Sequence, residues 1–333
     1  MKTKGRLGTR ELVAALVGVR ELPVVVLFAA LAIYFAWCAP NFVEAEGLLN
    51  DLRQYAPYAI LAVGLTLVIG SGGIDISVGS VLGFSTIVLG VALSKTGSSP
   101  VLACLLAVAA GTAFGAFNGW AVACLRLQPV VVTLSTMAAA RGLAYVVAGQ
   151  GAYSINLPAR AEWLGMAASE SSAPVALALA AAAAGSVALS MTTFGRAVLA
   201  IGSNEEAARL SGIAVKRVKF AVYTITGALA AVAGIITAGW MFTATTEAGM
   251  GYEFEAITAV LIGGTSIAGG EATVVGSVFG VLTAAALYRG FGLMGISDLW
   301  RMMCLGLILI ASVLLDRLRR YMAQRSAVGE AVV

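Results

Sequence analysis

The chain of 333 residues contains no histidine, only four cysteines and few charges. The absence of histidine excludes His-based catalytic triads, HExxH metalloprotease sites and His-ligated metals. No lysine follows a glycine, so the phosphate-binding GK[ST] motif is also missing. The cysteines stand singly in apolar runs, without a CxxC pair, which favours buried thiols over disulfides or zinc ligands. We therefore expect neither catalytic chemistry nor a bound cofactor in this chain.

The scarcity of charge decides the class of protein. Charged residues make up 11% of the chain and hydrophobic residues 60%, and the mean hydropathy is +0.94. A soluble globular protein carries about 25% charged residues, so this sequence cannot cover a surface exposed to water. Its composition also excludes a disordered chain, a nucleic-acid-binding module and a secreted disulfide scaffold. The remaining class is an all-α integral membrane protein with several spans.

Long apolar segments give the number of spans. A transmembrane helix needs about 20 mostly apolar residues to cross roughly 30 Å of hydrocarbon. We predict about ten such helices: 22–40, 55–71, 76–94, 100–124, 129–148, 174–192, 218–242, 255–268, 273–293 and 297–315. The eighth is short, and the third and ninth are rich in glycine. The segments 72–80 and 255–268 are therefore candidates for broken or re-entrant helices within a single transmembrane domain, 1–333.

The basic residues set the orientation. With the N-terminus inside, 15 of the 21 basic residues fall on the cytoplasmic side, and the alternative topologies place fewer of them there. The outer loops carry acidic residues such as Glu44, Glu162 and Glu247. We therefore place both termini in the cytoplasm, with cytoplasmic tails 1–20 and 317–333 and a long cytoplasmic loop 193–219.

An internal repeat relates two pairs of predicted helices. When the chain is shifted by 197 residues, segment 60–83 aligns without a gap over 257–280, with ten of 24 positions identical. The second and third helices then match the eighth and ninth. Such duplications are common in transporters, where two repeats enclose a path and move against each other. The alternative is chance similarity between glycine-rich helices.

The motif GGIDISVGS (72–80) joins two spans and contains an acid, Asp75. A carboxylate near the membrane must be hydrated or bonded, and an acid just before a helix can cap its first amides. Asp75 therefore either caps the next helix, takes part in gating or contacts the substrate.

Further polar side chains lie within the predicted spans, and we list them with Asp75 as candidates for the transport path or its gate: Asp75, Ser77, Asn118, Thr133, Ser135 and Arg141. One possible partner for Arg141 is an acid such as Asp75 or Glu271. Pore-lining or structural hydrogen bonding is the favoured alternative.

Small residues recur at four-residue spacing in three predicted helices. The ridges are Gly111, Gly115 and Gly119; Gly79 and Gly83; and Gly276 and Gly280. Such ridges allow two helices to approach closely in lipid. They indicate packing within the chain, with a dimer interface or a pore wall as the alternatives.

The long inner loop contains a short capped helix. In GSNEEAARLSG (202–212), Ser203 is predicted as the N-cap with Glu206 three residues on, and Gly212 is placed to end the helix. A helix of about two turns is unstable alone, so it must dock on something. Its own membrane domain, the lipid headgroups or a separate cytoplasmic protein can supply that surface.

Four linked motifs resemble one family. GGIDISVGS (72–80), NGWAVACLRLQPVVVTLSTMAAARGLAY (118–145), GRAVLAIGSNEEAARLSGIAVKRVKF (195–220) and GYEFEAITAVLIGGTSIAGG (251–270) are similar to motifs of the permease subunit of ribose-type carbohydrate ATP-binding-cassette importers. The resemblance runs from about Pro40 almost to Asp316. It implies a multi-pass protein of the bacterial inner membrane that is not itself an enzyme and that carries a small polar solute, a monosaccharide above all, into the cytoplasm.

The resemblance also implies partners. These are cytoplasmic ATPase subunits that use ATP and Mg²⁺, a periplasmic or surface solute-binding protein, a second permease copy or paralogue, and membrane lipid, but no nucleic acid. The inner loop would be the coupling helix that docks on the ATPase. Its residues by this resemblance are Gly195, Arg196, Gly202, Ser203, Asn204, Glu205, Glu206, Ala207, Arg209, Leu210 and Gly212, with Ala208 beside Ala207 and Leu210 on the packing side.

The sequence departs from the family pattern in two places. Glu271 follows Gly269-Gly270 where a further glycine turn is expected, and Tyr288-Arg289 replaces an Asn-Asn pair. The second change weakens the transfer of ribose itself as the cargo and leaves room for an acidic or otherwise unusual substrate. A nucleoside, a polyol or another furanose stays an alternative, as does an ion-gradient-driven carrier that would use Asp75 as a relay.

Overall fold

The computed structural model describes residues 21–149, 154–297, 299–311 and 314, and this part of the chain is almost entirely helical. The helices are α1 (Leu22–Cys38), α2 (Ala45–Gly70), α3 (Val78–Ser94), α4 (Pro100–Ala123), α5 (Pro129–Ala148), α6 (Glu162–Ser169), α7 (Ala173–Met191), α8 (Thr193–Ser203), α9 (Glu205–Leu210), α10 (Val215–Met241), α11 (Tyr252–Ile262), α12 (Val274–Leu293) and α13 (Leu299–Ala311). Two three-residue strands, β1 (Ser154–Asn156) and β2 (Thr243–Thr245), pair antiparallel. The predicted tails 1–20 and 317–333 lie outside the described residues.

Each of the ten predicted spans corresponds to one helix. Six of the described helices are long and apolar enough to cross a bilayer, namely α2, α4, α5, α7, α10 and α12. Helices α1, α3 and α13 are apolar but shorter. The eighth span is displaced from its prediction, because α11 begins at Tyr252 and ends at Ile262, where the chain turns through Gly263 and Gly264 and the latter adopts φ +90°. The all-α membrane class is confirmed.

Local sequence explains several helix starts. Pro100 and Pro129 open α4 and α5, where a missing amide hydrogen removes no helical hydrogen bond. The Ser99 hydroxyl caps α4 by accepting from the Leu102 amide at 3.3 Å. Thr273 caps α12 in the same way, on the Gly276 amide. The connections before α4 and α5, 95–99 and 124–128, are only five residues long.

The core of the bundle forms where α10 packs along α4, α2 and α3. The glycine ridge of α4 makes the first of these contacts possible. A Cβ added to Gly111 would lie 2.7 Å from the Gly227 carbonyl oxygen of α10, and one added to Gly115 would lie 2.4 Å from that of Tyr223. Of the alternatives for this ridge, the structure supports packing within the chain.

The other two ridges serve the same purpose. A Cβ on Gly83 of α3 would lie 2.5 Å from the Ala248 carbonyl oxygen, in the loop between β2 and α11. In the second repeat, a Cβ on Gly280 of α12 would lie 2.0 Å from the Ala259 carbonyl oxygen of α11. Since each glycine faces main chain of its own molecule, these ridges bring neighbouring elements of one chain together.

Segments assigned to one side of the membrane by charge meet in space. On the predicted outer side, β1 pairs with β2 and the Arg53 guanidinium donates to the Glu170 carbonyl at 2.5 Å. On the predicted inner side, the Thr273 hydroxyl donates to the Glu21 carboxylate at 2.6 Å. These contacts are those that ten alternating passes would produce.

The two repeats share a local geometry. Each consists of a helix, a glycine-rich break and a second helix: α2 and α3 around 71–77, and α11 and α12 around 263–273. Gly72 and Gly269, which the shift of 197 places in register, both adopt a left-handed conformation, with φ +79° and +82°. The two breaks thus share one left-handed glycine at equivalent positions, although α11 ends earlier in its repeat than α2 does.

Candidate functional site

The inner loop 193–219 folds into α8 and α9, which connect α7 to α10. The Thr192 hydroxyl accepts from the Gly195 amide at 3.2 Å and starts α8. A Cβ on Gly195 would lie 2.0 Å from the Leu189 carbonyl oxygen, so this glycine allows α8 to fold back against the end of α7. Arg196, the next residue, is exposed. The loop is therefore held close to the membrane domain.

The cap of α9 lies one residue later than predicted. Ser203 is the last residue of α8, and the Asn204 side chain accepts from the Ala207 amide at 2.9 Å. Serine and asparagine are both good N-caps, but α8 continues through Ser203 and leaves Asn204 as the first non-helical residue. The predicted end is confirmed: Gly212 adopts φ +84° and donates its amide to the Arg209 carbonyl at 3.1 Å.

The charged residues of α9 form two ion pairs. The Glu206 carboxylate accepts from the Arg209 Nε at 3.0 Å, and this bond holds the pKa of Glu206 below its usual value. Glu206 is thus paired along the helix and is not the partner of a capping box. The Glu205 carboxylate instead accepts from Lys219 Nζ at 2.5 Å, and because the Lys219 side chain is only 12% exposed, this pair ties α9 to α10.

The apolar residues of α9 divide between two faces. Ala208 is buried against Ile201 and Val215, whereas Ala207 is exposed and Leu210 is 77% exposed. The predicted packing side is therefore wrong for Ala208, which packs on its own domain. Leu210, next to Arg209 of the Glu206–Arg209 pair, is the large apolar residue that α9 exposes.

Asp75 belongs to a buried chain of hydrogen bonds at the start of α3. Its Oδ1 accepts from the Ser77 amide at 2.9 Å and from the Ser77 hydroxyl at 2.6 Å. The Asn118 amide of α4 donates to the Ser77 hydroxyl at 2.9 Å, and the Thr136 hydroxyl of α5 donates to Asn118 Oδ1 at 2.6 Å. Asp75 thus bonds the residue that precedes α3 and none of the amides of α3 itself, so the predicted cap is not observed. We call Asp75, Ser77, Asn118 and Thr136 the polar network.

Other predicted path residues lie at different distances from this network. Thr133 is buried, and its hydroxyl lies 3.3 Å from the Ile74 carbonyl, next to Asp75. Ser135 is exposed on another face of α5 and donates only along its own helix, to the Val131 carbonyl. The structure thus brings Thr133 to the network and leaves Ser135 outside it.

Arg141 stabilises a loop near the predicted outer side. Its guanidinium donates to the carbonyls of Thr246 and Ala248, at 2.5 Å and 3.0 Å. These bonds hold the segment between β2 and α11 against Gly83 of α3. Of the alternatives for Arg141, structural hydrogen bonding is the one observed, and its bonded partners are carbonyl groups of the chain rather than an acid.

The unusual Tyr288-Arg289 pair also has a structural explanation. The Arg289 guanidinium bonds the Asp51 carboxylate at 3.0 Å and donates to the Phe42 carbonyl at 2.8 Å and the Asn41 carbonyl at 2.7 Å. Both side chains of this ion pair are largely buried. The positive charge of Arg289 therefore holds the α1–α2 loop in place, and it provides no argument for an acidic cargo.

Comparison with known proteins places the chain in a family. Residues 47–313 match the model of a family described as branched-chain amino acid transport system / permease component. The chain belongs to this permease family. It is 38% identical to the ribose import permease protein RbsC of Bacillus subtilis (strain 168), over 84% of this chain and 87% of the relative. It is 33% identical to the L-arabinose transport system permease protein AraH of Escherichia coli (strain K12), over 89% and 90%. No solved structure matches the chain.

Two residues near the network of this permease escaped prediction from the sequence. Thr136 is polar and helical like Thr133, but only the crossing of α4 and α5 shows that it reaches Asn118. Tyr223 of α10 is fully buried, and its hydroxyl has no hydrogen-bond partner among the described residues. A Cβ on Gly73 would lie 2.3 Å from that hydroxyl. The permease therefore has a buried phenol directly beside the break that carries Asp75.

The permease also has a polar cavity near its predicted outer side. The cavity measures about 370 Å³ and is lined by Ser154, Thr245, Glu247 and Tyr252, among others. It lies where β1, β2 and the start of α11 meet. Hydroxyl groups, a carboxylate and an aromatic ring are groups that hydrogen-bond to a polar solute or stack against it.

Proposed function

We propose that this chain is the permease subunit of an ATP-binding-cassette importer that carries a monosaccharide into the cytoplasm. The relatives named for ribose and L-arabinose support the class of cargo. Separate ATPase subunits supply the energy, and a second copy or paralogue completes the path. A solute-binding protein delivers the sugar to the outer face, where the cavity beside Glu247 offers hydroxyl and carboxylate partners.

The observation that carries the coupling part of this proposal is the exposed face of α9. Glu206, Arg209 and Leu210 are all exposed, while buried Ala208 and the Glu205–Lys219 pair hold the helix against the bundle. Asn204 caps the first turn of the helix. A helix of six residues has little stability of its own. These anchors fix its position, so a protein pressing on the exposed face would move α9 and its neighbours together.

The polar network supports a structural or gating role for Asp75. The carboxylate is 1% exposed and is bonded within its own turn, so direct contact with the sugar is not required of it. The network joins α3, α4 and α5 at the predicted inner side. An ATP-driven rearrangement of these helices would break or re-form its bonds, which makes the network a candidate for the inner gate.

Purification of the tagged permease from its native membrane tests the partner surface. We expect a cytoplasmic ATPase to co-purify with the wild type and to be lost from Glu206→Arg, which places a third positive group beside Arg209 and Arg126 on this face. Glu162→Arg makes the same charge change at an exposed position of α6, on the predicted outer side, and should retain the ATPase. Equal recovery of the ATPase with both variants would contradict the docking surface.

A further inference from the structure

The glycine-rich breaks of the two repeats touch each other at the predicted inner side. The Gly270 amide of the second break donates to the Gly70 carbonyl, at the end of α2, at 3.0 Å. A Cβ on Gly269 would lie 2.8 Å from the Gly72 Cα. Since Gly72 and Gly269 are equivalent in the repeat, the contact joins the two repeats at matching positions.

Gly202, near the end of α8, is inserted into this contact. A Cβ on Gly202 would lie 2.0 Å from the Gly70 carbonyl oxygen and 2.4 Å from the Gly270 nitrogen, closer than any real Cβ contact. A Cβ on Gly269 would in turn lie 2.9 Å from the Gly202 carbonyl oxygen. Three segments of main chain therefore meet here, and the Ser203 side chain lies against Gly270, where its Oγ would be 2.2 Å from an added Cβ. We call Gly70, Gly72, Gly202, Gly269 and Gly270 the inner joint.

The inner joint connects the proposed ATPase surface to both repeats. On one side, Gly202 is separated from the N-cap of α9 by Ser203 alone. On the other side, the first break runs from Gly72 to Asp75 and the polar network, and the second runs from Gly270 to the Thr273 cap of α12. Close-packed interiors transmit displacement because they have little room to compress. Main-chain atoms in direct contact cannot relieve such a displacement by changing a side-chain rotamer.

We propose that the inner joint transmits the motion of α9 to both repeats, with Gly202 as the residue that pushes on the two breaks. This inference rests on the proposed function and specifies its mechanical step. A movement of α9 shifts Gly202, which displaces the end of α2 and the second break together. The starts of α3 and α12, and with them the polar network, then change position.

The test compares two alanine variants of the permease purified with its ATPase and solute-binding protein and placed in proteoliposomes. Gly202→Ala adds a methyl group inside the joint. Gly292→Ala adds one at the equivalent next-to-last position of α12, where nothing lies within 4 Å of the new Cβ. With ribose or L-arabinose as the probe, we expect Gly202→Ala to bind the ATPase but to lower the sugar imported per ATP hydrolysed about tenfold, as a misfitted core methyl group would. Gly292→Ala should match the wild type.

A second measurement needs no variant, in case Gly202→Ala does not assemble. In the wild-type complex, adding a non-hydrolysable ATP analogue should change amide hydrogen exchange in three segments at once: 198–204, 70–77 and 263–273. A change confined to 198–204, or normal coupling in Gly202→Ala, would overturn the role of the inner joint while leaving the proposed function intact. A wild-type permease that binds no ATPase would overturn both.

Discussion

At the scale of single residues, the polar network shows how buried polar groups are satisfied inside a membrane domain. Asp75, Ser77, Asn118 and Thr136 come from three different segments of the chain. Their mutual hydrogen bonds satisfy polar groups to which lipid cannot hydrogen-bond. A buried group that loses its partner is costly. The stability of the bundle at its predicted inner side should therefore depend on every member of this chain.

Thr136→Val tests this dependence. The change leaves Asn118 Oδ1 without its donor, and we expect the free energy of unfolding to fall by about 1–3 kcal/mol. Ser135→Ala, at the adjacent position of α5, removes a hydroxyl that bonds only within its helix and should have a much smaller effect. The measurement is thermal denaturation of both purified variants in the same detergent. Equal denaturation midpoints for the two would contradict the network.

Some residue contacts were predictable and others were not. A short helix ending at Gly212 follows from local sequence, but the choice between Ser203 and Asn204 as its cap depends on how far α8 continues. Arg141 must be bonded inside a membrane, yet its acceptors are carbonyl groups of a distant loop. Carbonyl groups are present at every residue, so a sequence gives no sign of which of them are acceptors.

At the scale of helices, glycine ridges determine which elements lie in contact. The ridge of α4 brings Gly111 and Gly115 against the main chain of α10. Four-residue spacing indicated a packing face in advance, but it did not name the partner helix. The bounds of α11 were also mispredicted, since its turn at Gly263 interrupts an apolar run that hydropathy alone continues.

Gly115→Ala tests the contact of α4 with α10. The new Cβ would lie 2.4 Å from the Tyr223 carbonyl oxygen, and overpacking of this kind costs about 1–3 kcal/mol. We expect a lower denaturation midpoint and a smaller monodisperse fraction. In Gly142→Ala of α5 the new methyl group meets nothing within 4 Å, so the midpoint should stay the same or rise. A Gly115→Ala protein as stable as Gly142→Ala would mean that the two helices are not closely packed.

At the scale of the whole molecule, the permease contains two repeats whose glycine-rich breaks meet. Charge placement predicts its orientation, the repeat predicts two equivalent breaks, and the structure brings those breaks together beneath α8 and α9. Hydropathy was enough to predict the ten apolar spans, but not the bounds of α11 or the short helices α6 and α8. The inner joint was not predictable, because it depends on contacts between segments about 70 to 200 residues apart in the sequence.

The most direct test of the account is the energy source of uptake. The permease, with the ATPase and solute-binding protein that co-purify with it, is reconstituted in proteoliposomes with ATP on the side of α9, and radiolabelled pentoses are added on the other side. We predict uptake that requires ATP, is blocked by vanadate and persists when a protonophore and ionophores remove all ion gradients. Uptake that continues without ATP and stops when the gradients collapse would contradict the account.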